Sequence, residues 1–290
     1  MIKDSIEYLI KTATNPPYSN NLLPARQEYQ KYAGDIFDDD KSYENQMALF
    51  LEWYIFDRID SAHNQTVLEL IINNEKEASL DLLKNINVFT SHIHGLFIIK
   101  KIKDDCVKVI NLFDNEQYNV VEPSGKLYFS KNSIFEARLL TYENSYYFTG
   151  NFCFHPDGSK KFIKSEIKKI SSWNKENTKE LKMKNEKLKN ENKKINEINS
   201  SIEILKNKTQ RLNSKKEMLK IETDLSELES IKEKYEENHS LLKKNINTYT
   251  QEKITCGIQL SKTRLMLKLS SMRLLLERSR NIDVKDIYKN

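Results

Sequence analysis

At 290 residues and 34.2 kDa, with 31% charged and 38% hydrophobic side chains, the chain holds too little apolar material to fill one globular core of its length. All five prolines lie at or before Pro156, and Ser159 to Cys256 contains neither glycine nor proline, which excludes a collagen-like, Gly/Pro-disordered or all-β second half. Residues 1–170 carry 20 Lys+Arg against 24 Asp+Glu, whereas residues 171–290 carry 27 against 18, so an acidic half precedes a basic one.

No apolar run approaches the roughly 18 residues that a membrane helix needs, and Asp4 and Glu7 interrupt what would be a signal peptide's apolar region. Three widely spaced cysteines, Cys106, Cys153 and Cys256, suit reduced side chains better than a disulfide framework. The expectation is a cytoplasmic protein without a transmembrane segment.

In chain order, residues 1–90 read as a helical subdomain. Short helices are expected from Ile2 to Thr12 and from Arg26 to Ala33, separated by Pro16-Pro17 and Pro24. The strongest element follows: Tyr43, Met47, Phe50 and Tyr54 form one stripe and Leu49, Trp53 and Phe56 another, so this helix is apolar over most of its circumference. Asp40 is its expected N-cap, and Asp57-Arg58 are expected to close it as it leaves the core. Val67 to Ile72 and Leu80 to Ile86 supply two further amphipathic pieces.

Residues 91–158 change to a β pattern. Five strands are expected: Leu96 to Ile99, Cys106 to Phe113, Gln117 to Val121, Ile134 to Leu140 and Tyr146 to Phe154. Their tight connections favour a small antiparallel sheet or a barrel of SH3 or OB type over a parallel sheet. In the last strand Tyr146, Phe148, Phe152 and Phe154 share one face.

Residues 159–256 read as a coiled coil. Leu181, Leu188, Ile195 and Ile202 repeat by sevens, with Ile198, Leu205, Leu212 and Leu219 in the companion position. A second register holds Ile221, Leu228, Tyr235, Leu242 and Tyr249, so a phase break falls near 213–219. Both a long supercoiled helix with a stutter and an antiparallel hairpin satisfy this pattern. Polar residues at core positions, Thr209, Lys216, Lys232 and His239, weaken the seam. Residues 257–290 read as a basic amphipathic helix and tail, whose stripe of Arg264, Leu265, Lys268, Leu269, Met272, Arg273 and Leu276 is expected to continue the coil or pack against the globular half, with a partner groove, a membrane surface or nucleic acid as the other readings.

Phosphate loops, nucleophile elbows, H-E-x-x-H and C-x-x-C motifs are absent from the sequence. The one arrangement with metal-ligand chemistry is His92-x-His94 with Cys153-x-His155, since alternate residues on two neighbouring strands can offer four N/S ligands to one side. Glu136 and Arg138 share a strand face and read as an ion pair or a solvated face. Tyr128, Phe129, Tyr146 and Tyr147, near Lys126 and Lys131, offer stacking surfaces for single-stranded nucleic acid.

The segment Phe50-Leu51-Glu52-Trp53-Tyr54-Ile55-Phe56-Asp57-Arg58, with Ile134-Phe135-Glu136-Ala137-Arg138-Leu139 and Tyr147-Phe148-x-Gly150-x-Phe152-Cys153-Phe154-His155-Pro156, resembles a group of uncharacterised bacterial proteins. That group pairs an aromatic EW(F/Y)xFD helix with a small β module, and the resemblance covers roughly residues 25–170. Where the group carries Gly-Asp before its Ala-Arg-Leu strand, this chain has Asn132-Ser133. The resemblance implies one N-terminal domain and brings no activity and no functional residue.

The expected architecture is therefore α+β, with N-terminal helices on a small antiparallel sheet or barrel and a long C-terminal helical coil. A seam of this kind must be buried against itself, a second copy or another protein. The functional expectation is a non-enzymatic interaction or scaffold protein, without a cofactor, that oligomerises or extends through the coil. Nucleic-acid binding by the basic coil and the β module is the alternative, and a metal protein or enzyme the second alternative.

Overall fold

A computed structural model describes residues 2–74, 80–123, 125–211, 214–279 and 281–289. The chain packs as two compact units, Met1–Lys169 with Lys262–Asn290, and Ile170–Ser261. The α+β class read from the sequence holds.

In the first unit, α1 (Ile2–Ala13) buries Leu9 and Ala13 on one face. Helix α2 (Leu22–Ala33) places Pro24 in its first turn, where no amide donor is missed, and stops at Gly34, whose φ of 86° lies where only glycine is unstrained. Helix α3 (Tyr43–Phe56) is central. Phe50, Trp53, Tyr54, Ile55 and Phe56 are buried, and Tyr29 of α2 packs against Phe50 and Trp53 with ring centroids 5.5 and 5.4 Å apart. The Tyr54 hydroxyl reaches the carbonyl of Tyr18 at 2.5 Å, which satisfies the one polar atom that this ring brings into the core.

Two expectations about the ends of α3 are corrected. Ser42, not Asp40, is the residue preceding the helix. Asp40 instead accepts the amide of Phe37 at 2.9 Å and binds Arg278. At the far end Asp57 turns into the core rather than out of it, its side chain only 6% exposed.

A short hairpin of β1 (Ile59–Asp60) and β2 (Gln65–Thr66) leads to α4 (Val67–Asn74) and α5 (Leu80–Val88). The β module then runs β3 (Ile93–Ile102), β4 (Cys106–Asn111), β5 (Gln117–Val121), a turn of helix α6 (Gly125–Tyr128), β6 (Ile134–Tyr142), β7 (Ser145–Phe148) and β8 (Cys153–His155). Strand order β3-β4-β5-β7-β6 closes through β6 onto β3, with β5 and β7 parallel and the other barrel pairs antiparallel. This is the connectivity of a five-stranded OB-type barrel, with β8 added along β6.

The barrel interior holds Phe97, Phe129, Phe135 and Phe148 with Val107, Val109 and Val120. Phe152 and Phe154 pack on this cluster, so the face sharing expected from Phe148 to Phe154 is kept although the expected single strand is not. Gly150, at φ 105°, breaks it into β7 and β8. Asn132 takes a left-handed position, φ 67°, at the turn into β6, and asparagine is among the residues that tolerate that geometry.

Between Ser159 and Cys256, where the sequence pattern fits both a stuttered long helix and an antiparallel hairpin, the chain forms two helices. Helix α7 (Lys160–Thr209) ends in a turn at Gln210 and Arg211, and α8 (Lys215–Tyr249) begins after Ser214. A π-helical segment (Thr250–Cys256) follows, then α9 (Gly257–Arg278) and α10 (Val284–Ile287). In the second unit α7 and α8 lie antiparallel: the Tyr249 hydroxyl contacts Asn177 Oδ1 at 3.0 Å, Lys194 stands over the Tyr235 ring, and Lys206 pairs with Glu229 at 3.1 Å. Gly257 lies so close to Trp173 and the carbonyl of Glu252 that a Cβ there would approach both to 2.8 Å. Helix α9 returns apolar residues to the first unit, where Leu265, Met266, Leu269, Met272 and Leu274 are buried.

Candidate functional site

The strands β3, β6 and β8 each have one face inside the barrel and one outside. Register aligns His94 with Arg138, Leu96 with Glu136, Glu136 with Cys153, and Ile134 with His155 on the outer face. That face carries ionisable groups, yet it is buried. Arg138 is only 1% exposed, and Glu136, His155, Glu52 and Asp57 are all in the interior.

Helix α3 supplies the compensating charges. The Arg138 guanidinium donates through Nη2 to Asp57 Oδ2 at 2.5 Å and through Nη1 to Asp57 Oδ1 at 3.2 Å, a two-pronged pair, and lies 4.6 Å from the Phe56 ring centroid. Its Nε is 3.5 Å from Glu52 Oε2, and Asn151 Nδ2 donates to Glu52 Oε1 at 2.7 Å. His94 bridges two carboxylates, with Nδ1 3.2 Å from Asp57 Oδ2 and Nε2 3.0 Å from Glu136 Oε1. His92 Nε2 lies 3.6 Å from Asp57 Oδ1.

These contacts set the protonation states. For Asp57, burial raises the carboxyl pKa, but Arg138 and His94 outweigh it and hold the group well below the usual carboxylate range. For His94, burial and Arg138 push the pKa down, while Asp57 and Glu136 prevail and raise it to about 9. Burial lowers His92. His155, 5% exposed with neither ring nitrogen hydrogen-bonded, is driven down to about 4 by burial. Burial likewise pushes the Cys153 thiol up, which makes it a poor nucleophile.

The four residues expected as metal ligands are thereby divided. His92 and His94 are committed to Asp57 and Glu136, whereas Cys153 and His155 lie across β6, with His155 against the Tyr288 ring. Among the described residues no group of three or more His, Cys, Asp or Glu is arranged to hold a metal ion. Glu136 and Arg138, read from the sequence as an ion pair or solvated face, are members of this larger buried network.

Of the proposed stacking aromatics, Phe129 is inside the barrel and Tyr146 packs on Tyr118, while Tyr128, 62% exposed, and the half-buried Tyr147 remain accessible. Lys126 has no described side chain.

The seam residues Leu181, Leu188, Ile198, Leu205, Leu228, Tyr235, Leu242 and Tyr249 are half-buried, and Ile195, Ile202 and Ile221 are buried. Leu212 falls outside the described residues. Leu219, expected in the seam, is 69% exposed, and Lys216 is exposed too, because the chain turns before them and α8 starts its own phase at Met218 and Ile221. The stripe proposed on the last helix is largely internal. Leu265, Leu269 and Met272 are core residues, Leu276 and Arg273 are half-buried, Lys268 pairs with Glu166, and Arg264 alone of the set is exposed.

Sequence reasoning missed Glu52, Asp57, Thr149 and Asn151. A signal existed for the first two: carboxylates inside an otherwise apolar, two-striped helix must be paired when the helix is buried. The partner was visible as the lone cation in Ile134-Phe135-Glu136-Ala137-Arg138-Leu139.

The architecture is thus a helix-covered OB-type barrel with a buried carboxylate–guanidinium–imidazole network in one unit and a helical hairpin in the other. The chain belongs to a family of unknown function, DUF7986, which matches residues 24–193. No curated protein and no solved structure matches it.

Proposed function

We propose that the chain is a non-enzymatic interaction protein, an adaptor whose helical hairpin offers its charged outer faces to a protein partner. The observation that supports this reading is the pairing of α7 with α8 within the chain. Side chains from Leu181 to Thr209 meet those from Met218 to Tyr249, which buries Ile195, Ile202, Ile221 and Ile246 and half-buries the other described seam residues without a second copy.

What the hairpin leaves outside is mostly charge of two signs, with Met183, Ile204, Leu219, Ile231 and Leu241 exposed among it. Lys182, Lys187, Lys189 and Lys193 are exposed on α7, and Glu222, Asp224, Glu227 and Glu233 on α8. Such faces select partners and speed encounter more than they add affinity. Self-association, expected from the sequence through the seam, gives way in this reading to a monomer whose outer faces meet a different protein.

Light scattering on the full chain, followed by cross-linking capture with the wild type and a K182E/K187E/K189E variant, tests the proposal. A monomer whose captured protein partner is lost on charge reversal supports it. A dimer that dissociates when Ile195 or Ile202 is made polar overturns it.

Nucleic-acid binding stays as a second reading because Lys101 and Lys108 stand directly opposite each other on β3 and β4 of an OB-type barrel. It requires single-stranded DNA or RNA affinity that falls steeply with salt and is lost in K101E/K108E. Among the described residues no helix is long and apolar enough to cross a membrane.

A further inference from the structure

Helices α1 and α3 of the first unit, with the link between β7 and β8, line a partly open cavity of about 440 Å³, within the size range of small-molecule sites. Its walls are apolar: Ile6, Leu9 and Ile10 from α1 face Met47, Leu51 and Ile55 from α3. Its charged groups are of one sign. Glu52, Thr149 and Asn151 lie together at one part of the lining and Glu44 adds a second carboxylate, while no lysine or arginine is present among the described lining residues.

The Glu52 carboxylate is the chemically informative group. It is buried, accepts one hydrogen bond from Asn151, and otherwise has only the Arg138 Nε at 3.5 Å, a guanidinium whose two Nη atoms are already committed to Asp57. The surrounding network sets three carboxylates, Glu52, Asp57 and Glu136, against Arg138 and His94. Even with the imidazole protonated, one negative charge is left over in the interior, a costly arrangement unless a cation joins it. Asn151, also in the lining, keeps its carbonyl oxygen free because its amide nitrogen serves Glu52, while the neighbouring Thr149 hydroxyl is sealed from solvent without a hydrogen-bond partner.

We propose that this cavity binds a small amphipathic amine, with the protonated nitrogen on Glu52 and the alkyl or aryl body between α1 and α3. The ammonium donates to Glu52, with the Asn151 carbonyl oxygen as a further acceptor, and neutralises the excess charge. The apolar walls then bury the body of the ligand, whose burial supplies affinity without regard to charge. A carboxylate of the same length meets Glu52 with like charge, and an alcohol fills the walls without balancing the network. The site is independent of the hairpin and of the adaptor reading.

The test is calorimetric titration of the full chain with n-octylamine, 1-octanol and octanoate at neutral pH. Saturable one-to-one binding of octylamine, at least tenfold tighter than either analogue, is expected. Glu52→Gln should abolish the preference of amine over alcohol. Because Glu52 also supports Arg138, a second variant, Ala48→Trp, fills the cavity from its half-buried wall without touching the ionic groups, and should weaken octylamine at least tenfold while leaving the thermal melt in place. Non-saturable binding of octylamine, octanoate binding as tightly as the amine, or undiminished amine binding to a folded Ala48→Trp variant would each overturn the proposal.

Discussion

Moving the pH away from about 6.5 in either direction should destabilise the first unit, because two buried histidines are shifted in opposite senses. His155 falls to about 4 in the folded chain, from 6.5. Between those values the unfolded chain holds a proton on His155 that the folded chain refuses, so the stability its neutral form provides is lost as pH drops from 6.5 toward 4, by about 3 kcal/mol in full. His94 rises to about 9, so its contribution is fully present below 6.5 and is lost as pH climbs from 6.5 to 9, again by about 3 kcal/mol. His92, lowered by burial, steepens the acid side. Asp57 adds nothing until the pH falls below the ordinary carboxylate range.

Urea unfolding followed by Trp53 fluorescence in a Trp173→Phe background isolates this unit, since the chain has two tryptophans and the other lies in the hairpin unit. The urea midpoint should peak near neutrality and fall on both sides. His155→Leu should flatten most of the acid limb and leave the alkaline limb unchanged. A midpoint constant from pH 4.5 to 6.5, or an acid limb unaltered by His155→Leu, would refute the argument that burial without a hydrogen-bond partner governs this group.

Three further outcomes follow from single contacts. Arg138→Met, which leaves Asp57 to the two histidines and Glu52 to Asn151 without the buried guanidinium between them, should cost about 3–5 kcal/mol in denaturant titration, whereas a surface change such as Lys193→Met should stay within about 0.5 kcal/mol. Gly257→Ala puts a Cβ 2.8 Å from both Trp173 Cη2 and the Glu252 carbonyl, so it should shift Trp173 fluorescence and cost about 1–3 kcal/mol in the hairpin unit. Asn132→Ala at φ 67° should cost about 1 kcal/mol, while Asn132→Gly should be close to neutral, both read from thermal melts.

The helices and strands were legible because their signals are local. Aromatic stripes from Tyr43 to Phe56 place α3, and the heptads from Leu181 to Ile202 place the seam. What was not legible depends on closure at a distance. Whether the seam finds its partner within the chain turns on the short stretch from Gln210 to Ser214, which periodicity reads only as a phase break. The split of β7 from β8 is written in one glycine whose left-handed geometry no alternation pattern reveals. The ionic network joins residues 81 positions apart, Asp57 and Arg138, so each reads alone as an exposed charge. The metal-ligand spacing was divided for a related reason: it placed two His/Cys pairs near neighbouring strands, but register put β6 between them, and the carboxylates of α3 and β6 took His92 and His94.

The family match from 24 to 193 does not coincide with a folding unit, and this has a measurable consequence. The core of the first unit takes Leu9 and Ala13 from α1 and Leu265, Met266, Leu269 and Leu274 from α9, all outside that range. Fully burying a large aliphatic side chain contributes about 1.5–3 kcal/mol, so losing five of them removes about 7–15 kcal/mol, as much as the whole stability of a typical domain. The loss is also polar: Ser270 donates to the buried Gln46, and Arg278 holds Asp40, so both partners are left exposed or unpaired. A fragment of residues 24–193 should therefore lack a cooperative thermal transition and bind hydrophobic dyes, while one carrying residues 1–169 joined by a short linker to 262–290 should melt cooperatively. If the 24–193 fragment melts like the full chain, α1 and α9 are accessories to the barrel and its helices rather than parts of their core.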